Sequence, residues 1–173
     1  MQRIQSALGP LIIAAATAEE LPVVMEILDQ AAQWMLAKGI QQWSSPPPTE
    51  FCTFMDSEIA KGKVYLARIE ASYTPIATWR FGWSNQTLWH DETNSAGYLY
   101  TLATHPNVHG HGIGSTLLKW AATHIKEQQR SYFRLDCMAN NLPLQHYYQA
   151  QGFRFCGYAT SDTHHAALFE MAL

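Results

Sequence analysis

Three glycines alternate with other residues at His109–Gly114, between a predicted strand over residues 98–104 and a predicted helix that follows the last glycine. Glycine adopts positive φ at little cost and lets the backbone approach a ligand closely. Successive N–H groups and the positive end of the helix dipole then face a common point, which suits a phosphate. The residue types and their spacing therefore indicate an anion-binding turn.

Two common phosphate-binding patterns do not fit this turn. A P-loop requires a lysine before its Ser or Thr, whereas Gly114 is followed directly by Ser115 and Thr116. The dinucleotide fingerprint requires a third glycine where Ser115 stands. Taken by itself, the turn is equally compatible with a structural loop and with a ligand site.

A second spaced set of residues lies further along the chain. Asn141 is followed after six residues by Tyr148, and after three more by Gly152-Phe153. In this order and with this spacing from the glycine turn, residues 98–153 resemble the GNAT superfamily, whose members transfer an acetyl group from acetyl-coenzyme A. The N-terminal half is similar to the family more loosely.

The resemblance implies where acetyl-coenzyme A binds. The pyrophosphate would lie on the glycine turn, and the pantetheine arm would pair with backbone at the end of the central strand. The implied cofactor residues are Leu102, Ala103, Thr104, His109, Gly110, His111, Gly112, Ile113, Gly114, Ser115, Asn141 and Tyr148. His109 stands where the family has Arg or Gln. An unperturbed histidine is mostly uncharged at pH 7, so less positive charge is expected at the phosphates.

The resemblance also assigns Tyr148 as the general acid that protonates the leaving thiolate. A phenol with an ordinary pKa near 10 is protonated at pH 7 and can donate this proton. Core packing of Tyr148 beside Tyr147 is the alternative. Asn141 fits a cofactor contact and also a helix N-cap, and both roles can coexist.

The general base is less defined, because the predicted central strand carries no Asp or Glu. Asp136 at the end of the next strand is the first candidate, and Asp91 and Glu92 in the preceding loop are others. A structural or solvated role is the simpler interpretation of each, and a water chain is a further route for the proton.

The acceptor is expected to be the primary amine of a small molecule, with a peptide N-terminus or lysine as second choice. Aromatic side chains are the candidates for its pocket, although each also fits a core position: Trp34, Trp43, Trp79, Tyr98 and Tyr100. Two other functions stay open: a coenzyme A-binding module with little catalysis, and a structural protein.

Hydrophobic periodicity defines the elements that would position these residues. Helices are predicted over residues 17–39, 49–62, 114–130 and 141–152, and strands over 11–15, 64–69, 76–83, 97–104, 132–137, 153–158 and 166–171. This order predicts an α/β, GNAT-like fold with a mixed, mostly antiparallel sheet of about seven strands flanked by about four helices. One N-acetyltransferase domain is expected over residues 1–173, with the cofactor-binding core at about 97–158.

Composition limits the remaining classes. The net charge of −3 argues against a nucleic-acid surface. No apolar run reaches the roughly 18 residues of a membrane span. The three cysteines form no CxxC pair and indicate free thiols in a reducing, cytoplasmic setting. His105, His109 and His111 lack the spacing of metal ligands, so no metal is expected. The chain is expected to be a monomer or homodimer.

Overall fold

The structure is a computed structural model that describes residues 1–90, 93, 95–161 and 165–173. This part of the chain holds eight strands and four α-helices. In chain order they are β1 (Gln2–Ser6), β2 (Gly9–Ala15), α1 (Leu21–Ala37), α2 (Thr49–Ala60), β3 (Val64–Ile69), β4 (Pro75–Gly82), β5 (Ala96–Thr104), α3 (Ile113–Glu127), β6 (Tyr132–Met138), α4 (Leu142–Ala150), β7 (Arg154–Thr160) and β8 (His165–Ala172).

The strands form one mixed sheet in the order β1-β2-β3-β4-β5-β6-β8-β7. The pairs β1–β2, β2–β3, β3–β4, β6–β8 and β7–β8 are antiparallel, whereas β5 and β6 are parallel. The predicted α/β class is therefore confirmed. The sequence analysis missed β1, because this edge strand is mostly exposed and Ile4 is its one apolar residue.

The contacts divide the chain into two compact units. The first consists of residues 1–80 and 101–117, and the second of residues 81–100 and 118–173. The expectation of one domain over residues 1–173 stays a prediction.

The core of the first unit lies where the two N-terminal helices bury their apolar faces. Val24, Leu28 and Ala31 of α1 pack in one cluster with Met55 of α2 and Ala103 of β5. The helix predicted over this segment is therefore confirmed. It begins at Leu21 rather than at Thr17, because Thr17 and Glu20 form a capping box around a short 3₁₀ turn first.

A buried carboxylate connects α2 to β4 within the first unit. Glu58 is 4% exposed and accepts hydrogen bonds from Lys61 at 2.9 Å and from Arg80 at 3.0 Å. Burial by itself would raise the pKa of Glu58, but the bond from Lys61 and the charges of Arg80 and Lys63 together hold the pKa below its usual value. The carboxylate is therefore ionised and paired in the folded protein.

The second unit is built on β6, β7 and β8 with α4 against them. The ring of Phe133 meets that of Phe153 edge-on at 4.9 Å, and Tyr148 of α4 lies 5.6 Å from Phe169. Asn141 caps α4, because its Oδ1 accepts from the Leu144 N–H at 3.2 Å. The predicted N-cap is thus confirmed.

The helix after the glycine turn buries one apolar stripe along its length. Ile113, Leu117, Ala121 and Ile125 recur every four residues along α3 and are at most 2% exposed.

No helix in the described ranges combines the length and the apolar character that crossing a membrane would require.

Candidate functional site

The glycine turn has the backbone geometry that an anion cradle requires. Gly110 has φ +81° and Gly112 has φ +68°, and a Cβ added at either position would meet no atom within 4 Å. The space over both residues is therefore open. An L side chain at these φ values would be strained and would also enter that space.

The N-terminal end of α3 directly follows the turn. Hydrogen bonds join Gly112 to the first turn of α3. Its carbonyl oxygen accepts from the backbone N–H of Thr116 at 3.0 Å and from the hydroxyl of Thr116 at 3.1 Å. The first N–H groups of a helix have no partner within the helix and carry the positive end of its dipole. The turn and the helix end can thus present several N–H groups to one anion.

His109 stabilises the turn through two contacts of its ring. Nε2 lies 3.2 Å from the carbonyl oxygen of Thr104, and the ring meets Trp34 edge-on at 4.5 Å. The ammonium of Lys38 lies 4.7 Å above the Trp34 ring. Trp34, which was expected in the acceptor pocket, lies beside the turn, and its part in acceptor binding stays a prediction.

The cofactor residues expected on β5 follow a local distortion of the strand. Thr101 has φ +52°, which is unusual for a β-branched residue and costs backbone energy. Its hydroxyl oxygen is buried and has no partner among the described residues. The parallel register of β5 with β6 spans only Ala96 to Tyr98. The sequence analysis missed Thr101, because nothing in a β-rich segment signals a positive φ.

Leu102, Ala103 and Thr104 complete β5 beyond this distortion. Ala103 is 3% exposed in the core of the first unit, whereas Leu102 and Thr104 are half-buried on the alternate positions. The Thr104 carbonyl is the atom that His109 contacts. The structure therefore brings together the expected strand residues and the first residue of the turn.

The two expected catalytic residues influence each other electrostatically in the second unit. Burial raises the pKa of the Tyr148 phenol, and the neighbouring Cys137, Asp136 and Tyr147 raise it further. Tyr148 is 7% exposed, so its phenol stays protonated at neutral pH. The packing alternative for Tyr148 is also realised, because its ring lies in the aromatic core.

Cys137, next to Asp136 on β6, is a buried and unreactive thiol. It is fully buried, and burial together with the charge of Asp136 raises its pKa to about 12. A thiol acts as a nucleophile only as the thiolate. Cys52 and Cys156 are half-buried, and all three cysteines are free.

Three of the aromatic residues expected to bind the acceptor serve as packing or hydrogen-bonding residues. Trp79 is 1% exposed and stacks on Tyr65 at 5.9 Å. Tyr98 is fully buried, and its hydroxyl accepts from Arg134 at 3.0 Å. Trp43 is half-buried against the core of the first unit. Their expected part in acceptor binding stays a prediction.

Tyr100 is the remaining member of this aromatic set and is more accessible. It is half-buried, its hydroxyl accepts from Asn85 at 2.9 Å, and its ring stacks on that of Tyr98 at 6.2 Å.

Asp91 and Glu92, the loop candidates for a base, lie outside the described residues. The described histidines, cysteines and carboxylates form no cluster that would hold a metal ion.

An open cavity of about 450 Å³ lies in the second unit. It is lined by Met138, Ala139, Asn140, Tyr158 and His165. Tyr158 is 54% exposed and stacks on the ring of His165 at 5.4 Å. The sequence analysis missed this group, because its members come from β6, the turn that follows it, β7 and β8, and they carry no motif.

Comparisons with known proteins relate these features to a family. The acetyltransferase (GNAT) family profile matches residues 26–153. The chain is 29% identical over 159 residues to a Bacillus subtilis (strain 168) protein named uncharacterized N-acetyltransferase YesJ, covering 90% of this chain and 86% of that protein.

Solved structures at lower identity share the fold. A GNAT family acetyltransferase from Listeria monocytogenes 4b F2365 superposes with a TM-score of 0.82 at 20% identity, covering 99% of this chain and 100% of that one. The aminoglycoside acetyltransferase AAC(6')-Ib, solved in complex with coenzyme A and kanamycin, gives a TM-score of 0.72 at 17% identity and covers 94% of each chain.

Proposed function

This chain belongs to the acetyltransferase (GNAT) family, and we propose that it transfers an acetyl group from acetyl-coenzyme A to the primary amine of a small molecule. The glycine turn is the observation that carries this proposal. Gly110 and Gly112 hold positive φ under open space, directly before α3. This geometry suits the pyrophosphate of coenzyme A, which the backbone N–H groups would bind.

The distorted second half of β5 is our candidate site for the pantetheine arm of the cofactor. The register of β5 with β6 is short, and the buried Thr101 hydroxyl has no partner among the described residues. We assign Leu102, Ala103 and Thr104 to the pantetheine arm, as the family resemblance implies. A backbone N–H in this segment would stabilise the thioester oxygen as it gains negative charge.

The reaction that we propose is direct attack without an acyl-enzyme. The amine nitrogen forms a bond to the acetyl carbon, the C–S bond breaks, and the leaving sulfur takes a proton from the Tyr148 phenol. The amine proton passes to Asp136, directly or through water, and Asp136 then releases it to solvent. Solvent returns a proton to Tyr148. Burial keeps the Tyr148 phenol protonated, so it holds the proton that the leaving sulfur takes, and the protonated, buried thiol of Cys137 is unsuited to carry the acetyl group.

Asn141 and the acceptor residues complete the assignment. The Asn141 side chain is 4% exposed and caps α4, and we propose that it also contacts the cofactor. The open cavity beside Tyr158 is our candidate for part of the acceptor site, because it is large enough for a small amine. The aminoglycoside enzyme has the same fold and supports the small-molecule class by analogy only.

Cofactor binding is tested by placing a side chain in the open space over the turn. Asparagine tolerates positive φ best among residues with a Cβ, so Gly112→Asn adds bulk with little strain. Gly62 is the matched control, because it has φ +67° and equally open surroundings, but lies after α2. We expect Gly112→Asn to weaken acetyl-coenzyme A binding at least tenfold in calorimetric titration, about 1.4 kcal/mol, and Gly62→Asn to bind like wild type.

Equal affinity in wild type and Gly112→Asn would contradict the turn as the pyrophosphate site. A folded wild type that does not bind acetyl-coenzyme A would contradict the proposed function as a whole.

A coenzyme A-binding module with little catalysis is the second candidate function. Two observations favour it: His109 uses its ring to stabilise the turn, and β5 carries no Asp or Glu. A panel of primary amines, followed by thiol release, separates the two functions. Turnover of any amine above the background hydrolysis rate supports the enzyme, and tight binding without turnover supports the module.

A further inference from the structure

The glycine turn lies in a long segment without permanent positive charge. From Phe81 to Leu118 the sequence contains neither Lys nor Arg. His109 stands at the start of the turn, where the family has Arg or Gln. Its ring already contacts the Thr104 carbonyl and the Trp34 ring. A coenzyme A bound here would carry several negative charges, and any permanent cation must come from another part of the chain.

α1 brings such a cation to the turn. Trp34 lies in the last turns of this helix and meets His109 at 4.5 Å, and the ammonium of Lys38 lies 4.7 Å above the Trp34 ring. Lys38 is exposed and Trp34 is 37% exposed, so both remain accessible to a ligand. All of these residues belong to the first unit.

We propose that Lys38, held over Trp34, supplies the positive charge to the phosphates of coenzyme A that the signature position His109 does not supply. The inference rests on the proposed function, because it concerns the same cofactor. Trp34 is the positioning residue: its ring attracts the ammonium through a cation–π contact and joins it to the glycine turn through His109. Lys38 binds the phosphates as a point charge, for which a lysine is suited.

Charge and packing are separated by a set of variants of the full-length chain. Lys38→Met removes the charge and keeps the length of the side chain, whereas Lys38→Arg keeps the charge. Lys126→Met is the matched control, because this exposed lysine lies near the C-terminal end of α3 and the turn precedes the other end. Trp34→Leu removes the aromatic ring under the ammonium, and circular dichroism checks that it folds.

We expect Lys38→Met to weaken acetyl-coenzyme A binding roughly fivefold and Trp34→Leu to weaken it as well, with Lys38→Arg and Lys126→Met close to wild type. The loss should shrink between about 0.05 M and about 0.3 M salt, because salt screens exposed charges. Acetylpantetheine lacks the phosphates, so kcat/KM for this donor should be the same in wild type and Lys38→Met.

3′-Dephospho-coenzyme A distinguishes the two sources of negative charge. If Lys38→Met weakens the binding of this ligand as much as that of acetyl-coenzyme A, Lys38 contacts the pyrophosphate. If Lys38→Met no longer weakens binding, Lys38 contacts the 3′-phosphate.

Wild-type affinity in Lys38→Met would overturn the inference while leaving the proposed function intact, provided that wild type binds acetyl-coenzyme A. Wild-type affinity in Trp34→Leu would overturn the positioning role of the ring. Absence of binding by wild type would remove both proposals together.

Discussion

Tyr148 combines a packing role with chemistry at the level of a single residue. Its ring is part of the aromatic core of the second unit, and burial raises the pKa of its phenol. The same burial that fixes the ring therefore keeps the proton on the oxygen. The phenol therefore holds its proton over the whole physiological pH range, as a general acid must before the transfer.

We expect Tyr148→Phe to lower kcat roughly 10²-fold or more, because it removes only the hydroxyl group and a general acid contributes about this factor. Acetyl-coenzyme A affinity should change little. Tyr147→Phe is the control, since its ring lies 5.8 Å from that of Tyr148 and burial raises its pKa as well. Steady-state kinetics with a reactive amine measures both variants, and equal kcat in Tyr148→Phe and wild type would exclude Tyr148 as the acid.

His109 and Thr101 show how single residues depart from the expected pattern. The imidazole of His109 contacts the Thr104 carbonyl, so the signature position stabilises the turn in this chain. Thr101 holds a positive φ in the middle of β5, and its buried hydroxyl has no partner in the described part of the chain. Strain and unsatisfied groups like those of Thr101 concentrate at functional sites. Thr101 directly precedes the strand segment that we assign to the cofactor, and His109 is the first residue of the glycine turn.

At the scale of elements, α2 is fixed to β4 by the buried carboxylate of Glu58. Arg80 and Lys61 donate to it, and the pKa of Glu58 is held below its usual value. A carboxyl group with a lowered folded-state pKa adds stability above its unfolded pKa, and this contribution is lost as the pH falls through the folded-state pKa. The attachment of α2 should therefore weaken in acid.

We expect Glu58→Gln to lower the unfolding free energy at pH 7 by about 2 kcal/mol and Tm by roughly 4–8 °C, because hydrogen bonds to a buried charge are lost. The difference from wild type should shrink below a pH of about 4.3, where the carboxyl group protonates in the unfolded chain. Glu70→Gln is the control, since Glu70 pairs with Arg3 on the surface. Thermal unfolding followed by circular dichroism across pH tests this, and a pH-independent difference would contradict it.

At the scale of the whole molecule, the glycine turn and the candidate acceptor cavity belong to different units. The turn, the end of β5 and the Lys38–Trp34 pair belong to the first unit, and the open cavity beside Tyr158 belongs to the second. Variants of the turn and of the cavity should therefore affect different kinetic constants.

Tyr158→Ala should raise the KM of the acceptor amine severalfold, roughly 1 kcal/mol of lost contact, and leave the KM of acetyl-coenzyme A unchanged. The stacked rings of Tyr158 and His165 line one side of the cavity, and removing the Tyr158 ring would open that side. Tyr73→Ala is the control, since Tyr73 is 61% exposed in a turn of the first unit. An unchanged acceptor KM in Tyr158→Ala would place the acceptor elsewhere.

The sequence by itself determined the α/β class, most element positions and the glycine turn. These features depend on local order: apolar periodicity predicted the helices and most of the strands, and alternating glycines predicted the positive-φ backbone at Gly110 and Gly112. The motif of Asn141 and Tyr148 was likewise readable, because the spacing of its residues along the chain matches that of the GNAT superfamily.

Only the tertiary structure decided which aromatic residues are accessible and what they contact. Trp79 and Trp34 are both tryptophans in apolar segments, yet Trp79 is 1% exposed on the sheet and Trp34 is 37% exposed beside the turn. Burial depends on residues distant in the chain, so no local pattern separates the two. The contact of Trp34 with His109 and the cavity beside Tyr158 have the same origin, because each is created by segments that meet only after folding.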